Sequence, residues 1–152
     1  MKSIKAIVGE RETITVSRSA SVVDAARLMA AHHIGALPVL DGDRLVGIFS
    51  ERDVLTRIVA VGRDPDATLV GAVMSTDLIV GDVSEAYDVC LTRMRQGHVR
   101  HLLALEEGRL AGIVSLRDVL AAEVDDKEEE LTILNAYVHY IPANLQVRTA
   151  RP

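Results

Sequence analysis

Residues 47–55 read GIFSERDVL and residues 112–120 read GIVSLRDVL, so one nonapeptide stands twice in the chain. The match extends towards the N-terminus of each copy. Residues 29–55 and 94–120 share 13 identities over 27 positions, always 65 residues apart and without a gap. Two copies of one unit commonly pack about a pseudo-twofold axis and form paired sites. The duplication therefore predicts both the architecture and the place where function resides.

Length and composition agree with two small units of mixed helix and sheet. The chain has 152 residues, and a repeat of about 60 residues is marginal for an independent core. We therefore expect the two copies to bury their apolar faces on each other. Aromatic residues make up only 3 % of the chain, which argues against a surface that stacks single-stranded nucleic acid.

The charge of the chain is concentrated in one block. The net charge is −5, and residues 123–130, EVDDKEEE, carry all of it, since the other residues sum to zero. We expect this block to stay in water. No basic stripe remains for nucleic acid or an anionic membrane, so neither is an expected partner. The N-terminus lacks the apolar core of a signal peptide and no segment has about 18 consecutive apolar residues, which predicts a cytoplasmic protein.

The first repeat is predicted to have the order strand, helix, strand, strand, helix. Ser19 or Ser21 should cap the first helix, and Gly35 should end it. Pro38 implies either that its strand lies at the edge of the sheet or that the proline stands at the start of the strand. The predicted ranges are a strand at 13–16, a strand at 37–40, a hairpin turn at 41–43, a return strand at 45–49 and a helix from Ser50 to about Val61.

The second repeat follows the same order, with Ser84 as the predicted cap of its first helix and Ser115 at the start of its last. Cys90 lies in a helical pattern and is expected to be a buried hydrophobe. The connector should contain a helical turn around residues 70–74. The predicted division is an N-terminal segment at 1–12, repeat 1 at 13–61, a connector at 62–77, repeat 2 at 78–124 and a helical extension with its tail at 125–152.

The last helix should continue to about Tyr140, before Pro142 stops it. Leu131, Leu134, Val138 and Ile141 recur at steps of three and four along one face. That stripe indicates either packing on the protein's own core or a contact with a second copy.

A duplicated Ser-x-Arg-Asp follows each return strand: Ser50 and Asp53 in repeat 1, Ser115 and Asp118 in repeat 2. The pattern fits a capping box, in which the serine accepts from a backbone N–H and the acid occupies the first turn. It equally fits ligand binding, because a helix N-terminus attracts anions and an aspartate can accept two hydrogen bonds from a ribose diol. The spacing alone leaves both interpretations open.

These motifs resemble the cystathionine-β-synthase (CBS) domain pair, or Bateman module, over about residues 10–124. The match rests on residues 13–16, 33–39 and 47–53 in the first copy and on residues 98–102 and 112–118 in the second. The resemblance implies an α/β (mixed α+β) fold of tandem β-α-β-β-α repeats about a pseudo-twofold axis. It also implies a regulatory module that binds an adenosyl ligand: AMP, ADP, ATP, NAD or S-adenosylmethionine.

The resemblance assigns roles to residues of both copies. Ribose would be held by Asp53 and Asp118, beside Ser50 and Ser115. Phosphates would meet Arg100 and His101, with Arg52 or Arg117. Adenine would contact the opposite repeat, namely Thr13, Ile14, Thr15, Ile34, Gly35 and Ala36 at the Asp118 site, and Leu78, Ile79, Val80 and Val99 at the Asp53 site.

The two copies differ, since Gly35-Ala36 becomes Arg100-His101 and only that second turn is basic. We therefore expect one site to favour phosphates. No catalytic set or metal-ligand set can be argued from the sequence, so we expect neither an enzyme nor a metal site. We expect a homodimer in which ligand binding changes either the shape of the dimer or the affinity for an unidentified effector protein. The alternative is a structural association module that binds no nucleotide.

Overall fold

The computed structural model describes residues 1–139, and it contains two copies of one mixed α+β unit. Each copy has a three-stranded sheet whose first strand runs parallel to the second and whose third runs antiparallel to it. The predicted fold class and the order of elements are confirmed. The elements are α1 (Ile4–Val8), β1 (Val16–Ser17), α2 (Val22–His32), β2 (Ala36–Asp41), β3 (Arg44–Ser50), α3 (Glu51–Asp53), a π-helix (Val54–Val59), α4 (Val70–Val73), β4 (Val80–Asp82), α5 (Tyr87–Gly97), β5 (His101–Glu106), β6 (Arg109–Ser115) and α6 (Leu116–His139).

The two repeats exchange their first helices. We call α1 and α4 the lead-in helices, because each precedes one repeat in the sequence and packs on the sheet of the other. Both begin with the same pair of backbone bonds to the opposite repeat. These N–H to carbonyl bonds, of 2.8–2.9 Å, are Ile4 to Glu85 and Lys5 to Val83 for α1, and Val70 to Ala20 and Gly71 to Arg18 for α4.

The duplicated glycine of the two nonapeptides allows this close packing. A Cβ on Gly47 would lie 2.5 Å from the Met74 Sδ, and a Cβ on Gly112 would lie 2.6 Å from the Val8 Cγ1. A side chain at either position would force its neighbour to move. Glycine therefore lets each lead-in helix lie close to the third strand of the sheet that it covers.

The exchange gives the molecule two cores instead of the single shared core that we expected. The core of repeat 2 includes Ile4 and Val8 of α1, whereas the core of repeat 1 includes Val70 and Val73 of α4. Each sheet is therefore closed by a helix from outside its own repeat. Cys90 lies in the repeat 2 core, fully buried as predicted, and burial raises the pKa of its thiol to about 11.

Pro38 explains why β1 is shorter than predicted. The prediction of an edge or strand-start position was wrong, because β2 is the central strand and Pro38 is its third residue. Proline has no N–H to donate, so the β1 ladder begins only at Val39. In repeat 2 the equivalent Leu103 donates to the Ile79 carbonyl at 3.0 Å, and β4 gains one more pair. Residues 13–15, which were predicted to be part of this strand, lie outside β1.

Two predicted helix boundaries were also wrong, namely the end of α2 at Gly35 and the cap of α5 at Ser84. Helix α2 ends at His32, and His33 takes the left-handed conformation at its C-cap, with φ of 52°, so Gly35 does not end it. Ser21, one of two predicted caps, accepts from the Asp24 N–H. In repeat 2, Ser84 instead bonds to the Asp82 carboxylate.

The second helices of the two repeats differ. In repeat 1 it is a short α-helical turn followed by the π-helix, instead of one regular helix to Val61. In repeat 2, α6 runs to His139, while the predicted end at Tyr140 and the stripe residue Ile141 lie outside the described residues. Leu131, Leu134 and Val138 are exposed by 59 %, 59 % and 62 %, so these three members of the stripe do not pack on either core of the described residues.

One acid of the acidic block is buried, contrary to our expectation. Asp126 is only 9 % exposed, because the segment that leads into α1 covers it. Its Oδ2 accepts from the Lys2 N–H at 3.3 Å and lies 3.6 Å from the amine of Met1. This contact fixes the start of the chain on α6.

Candidate functional site

A cavity of about 390 Å³ lies between the two repeats, around Asp53. Its walls come from the end of β3 and the following turn, from the end of the connector, and from the turn before β5. The size falls in the range of small-molecule sites. The lining residues are Gly35, Ile48, Ser50, Glu51, Arg52, Asp53, Thr56, Arg57, Ser75, Asp77, Leu78, Ile79, His98, Val99, Arg100, His101 and Leu103.

Asp53 is held by a capping box at the wall of this cavity. Its Oδ2 accepts from the Ser50 N–H at 2.9 Å and from the Ser50 Oγ at 3.1 Å. The capping interpretation of the motif is thereby confirmed. Among residues 1–139, the other oxygen, Oδ1, has only the Arg57 Nε nearby, at 3.5 Å, and keeps acceptor capacity. A cap and a ligand contact are therefore compatible at this aspartate.

Asp118 repeats the geometry in the second copy. The Ser115 N–H and Oγ donate to its Oδ2 at 2.8 and 2.6 Å. Its Oδ1 meets the Arg11 Nη1 at 3.5 Å. The segment that carries Arg11 is fixed nearby, because the Thr13 Oγ1 donates to the Ala111 carbonyl at 3.1 Å. Thr13 thus lies against the second copy.

Comparison with known proteins identifies the duplicated unit. The family model for the CBS domain matches residues 4–60 and 70–125, which together make up most of the chain. The chain belongs to the CBS domain family. CBS domains are in general regulatory and no catalytic family is indicated. The matched ranges begin at the two lead-in helices, so they include the exchange.

Relatives and solved structures share the pair. A CBS domain-containing protein of Bacillus subtilis, YhcV, is 32 % identical over 82 % of this chain and 88 % of its own length. A solved CBS domain protein from Burkholderia ambifaria is 32 % identical, covers 82 % of this chain and 96 % of its own, and superposes with a TM-score of 0.78. A CBS domain protein from Pyrobaculum aerophilum complexed with AMP is 25 % identical over 76 % of this chain and 88 % of its own, with a TM-score of 0.69.

His101 stands between the two acid sites of this CBS pair. Its ring atoms lie 3.5 Å from where a Cβ on Gly35 would be. Burial lowers the pKa of His101, although the carboxylates of Glu51 and Asp118 act in the opposite direction. Burial therefore favours the neutral imidazole, which can act as a hydrogen-bond partner.

Most residues predicted for the Asp53 site line the cavity around Asp53, and Val80 does not. Arg52 lines the cavity at the start of α3, whereas Val80 lies in β4 opposite Leu103, outside the lining. Gly35, assigned to the Asp118 site, borders the Asp53 cavity instead. Predicted residues that also line the cavity are Ser50, Leu78, Ile79, Val99, Arg100 and His101. Predicted residues outside its lining are Thr13, Ile14, Thr15, Ile34, Ala36, Ser115, Arg117 and Asp118.

Sequence reasoning missed several lining residues, notably Glu51, Asp77, His98 and Arg57. His98 could have been found, because it is the duplicate of His33. The spacing of Arg57, four residues after Asp53, was also a usable signal, since such residues share a helix face.

The Asp118 carboxylate should make folding sensitive to acid. Burial opposes its ionisation, but hydrogen bonds from Ser115 and the Arg11 guanidinium outweigh burial and hold the pKa of Asp118 below its ordinary 3.8. Because the folded pKa is depressed, the stabilisation is complete above the unfolded value and disappears as the pH falls through the folded one.

We therefore expect Asp118→Asn to be less stable than the wild type at pH 7. The difference should shrink as the pH falls below about 4. Urea unfolding of both proteins from pH 7 to pH 3 measures it. A difference that stays constant over this range would contradict the role of the charge.

Proposed function

We propose that this CBS pair is a regulatory module that binds an adenine nucleotide in the cavity around Asp53 and passes the signal to a partner protein. The observation that carries the proposal is the cavity itself. It joins a capped aspartate with an open oxygen on one repeat to an apolar wall and a basic turn on the other.

Each part of an adenine nucleotide has matching groups in the cavity. The open Oδ1 of Asp53 and the Ser50 hydroxyl suit a ribose diol. Leu78, Ile79 and Val99 offer an apolar wall to adenine, and the Arg100 guanidinium suits a phosphate, to which Arg forks bind well. The AMP complex of the relative from Pyrobaculum aerophilum supports the same class of ligand.

The charges in the cavity favour one phosphate over three. The lining includes the acids Glu51, Asp53 and Asp77 and the bases Arg52, Arg57 and Arg100, which balance. A single phosphate carries about −1.5 to −2 charges at neutral pH and can be served by one or two arginines. A triphosphate would bring charge that this lining does not neutralise. We therefore expect AMP to bind more tightly than ATP.

Melting measurements test nucleotide binding directly. AMP at about 100 times its Kd should add about 2.7 kcal/mol to the free energy of unfolding, a rise in Tm of roughly 5–10 °C at about 2–4 °C per kcal/mol. Adenosine, ATP, NAD and S-adenosylmethionine serve as comparisons. If none of them at millimolar concentration raises the Tm by a degree, the chain is better described as a structural association module.

We also propose that the protein is a homodimer that uses the exposed face of α6. Leu120, Val124, Lys127, Leu131, Leu134 and Val138 follow one another at alternating steps of four and three residues. This is the heptad spacing of a coiled-coil seam. The five apolar members are 46–62 % exposed, and a contiguous exposed apolar stripe commonly marks a contact.

A second copy of the chain fits this stripe better than an unrelated surface. Lys127 interrupts the apolar seam, and Glu123, Glu128 and Glu130 flank it on the same helix. In a pair of facing α6 helices, the acids of one helix would lie near Lys127 of the other, so the two seams would be complementary in charge.

No helix in the described part of the chain is long and apolar enough to cross a membrane.

A further inference from the structure

Arg57 connects the ribose-binding aspartate of the proposed site to a lead-in helix. Its Nη1 donates to the Val73 and Met74 carbonyls, at 2.7 and 3.0 Å, where α4 ends. Its Nε lies 3.5 Å from the Asp53 Oδ1. One guanidinium therefore touches both the open oxygen of the acid and the C-terminus of α4.

Arg11 makes the same connection at the other acid. Its Nε and Nη2 donate to the Val8 and Ile7 carbonyls, at 3.1 and 2.6 Å, where α1 ends. Its Nη1 lies 3.5 Å from the Asp118 Oδ1. Again, one guanidinium joins the open oxygen of the acid to the C-terminus of a lead-in helix.

These two arginines are not duplicates of each other in the sequence. The residue 65 positions after Arg57 is Ala122, which is buried. Arg11 comes instead from the segment that follows α1. The same contacts thus arise from two unrelated positions. A guanidinium that served only to cap the helix would have no need to meet the acid at both sites.

We propose that Arg57 and Arg11 are positioning residues for the two capping-box acids, Asp53 at the proposed site and Asp118 in the second copy, and tie each acid to the lead-in helix that covers its sheet. The inference rests on the proposed nucleotide binding. A planar guanidinium can hold several acceptors at fixed angles. It orients the open carboxylate oxygen, so a ribose diol that bonds there engages a group already linked to a lead-in helix.

Calorimetric titration with AMP tests the role of Arg57. Arg57→Gln should weaken AMP binding about tenfold, the scale of one charged hydrogen bond. Arg57→Lys keeps the charge and one donor and should recover most of the affinity. Arg63→Gln removes the same charge from a residue outside the cavity lining and should bind AMP like the wild type.

The titration of Asp118 tests Arg11 without any ligand. Arg11→Gln should raise the pKa of the Asp118 carboxyl, followed by its carbon NMR signal between pH 2 and pH 6, whereas Arg109→Gln should leave it unchanged.

The outcomes separate the two proposals. A wild-type protein that does not bind AMP would defeat the proposed function. If the wild type binds AMP and Arg57→Gln binds it with the same affinity, even at a lower Tm, then Arg57 only caps α4. That result would overturn the inference. An unmoved pKa of Asp118 in Arg11→Gln would overturn it independently.

Discussion

Replacing Asp53 with asparagine should weaken AMP binding by roughly tenfold to 150-fold, because charged hydrogen bonds contribute about 1.5–3 kcal/mol. Asparagine keeps an oxygen that can accept from the Ser50 N–H, so the cap of α3 should survive. The effect should therefore appear in the affinity measured by calorimetry, with little change in Tm.

Asp118→Asn is the matched control for this prediction. It makes the same change in the same motif, but at the acid outside the Asp53 cavity. If the Asp53 cavity is the main site, Asp118→Asn should retain most of the AMP affinity. Equal losses in both variants would show that the two sites contribute alike. If Asp53→Asn binds AMP as tightly as the wild type, capping of α3 would be the only role left for Asp53.

Leu134→Glu combined with Val138→Glu should convert the proposed dimer to a monomer at micromolar concentration. Both residues lie in the heptad seam and are about 60 % exposed on one chain. Burying unpaired carboxylates costs several kcal/mol per ion, and each 1.4 kcal/mol is about a tenfold change in Kd. Because both side chains lie outside the two cores, the repeats should remain folded.

Light scattering measures this change as a mass that falls from twice 16.5 kDa to 16.5 kDa. Thr132→Glu with Ile133→Glu adds the same charge off the seam of the same helix and should leave the mass unchanged. A monomeric wild type would contradict the dimer. A seam variant that stays dimeric would move the interface elsewhere, for instance to the exposed Leu55 and Val59 of the π-helix.

The repeated core of the fold could be predicted because each structural position appears in two copies, and a pattern found in both copies is more informative than one found once. Gly47 and Gly112 marked the third strands, and the two Ser-x-Arg-Asp motifs marked the helix starts that follow. The helical turn predicted around residues 70–74 is confirmed as α4, but α1 and the equivalence of the two lead-in helices escaped notice for the opposite reason. Residues 4–8 and 70–74 share only Ala6 and Ala72, and they align 66 residues apart instead of 65.

The proposed site could be predicted where its chemistry is local. The carboxylate of Asp53 is fixed by a serine three residues earlier, so the spacing was informative. The guanidinium beside each acid depends on the tertiary fold, since Arg57 and Arg11 reach equivalent places from different elements. Likewise, only the paired sheets show that Pro38 interrupts a central strand.

The exchange of α1 and α4 also has a consequence for how the chain acquires its structure. Helix α1 is synthesised before both repeats, yet its binding surface on repeat 2 is completed only after repeat 2 has been made. Its contacts span about eighty residues, from Ile4 to Glu85, and long-range closure of this kind slows folding. Neither half can finish its core while the other is missing. We therefore expect the two repeats to fold and unfold as one cooperative unit, and a nascent chain to remain immature until both repeats have been synthesised.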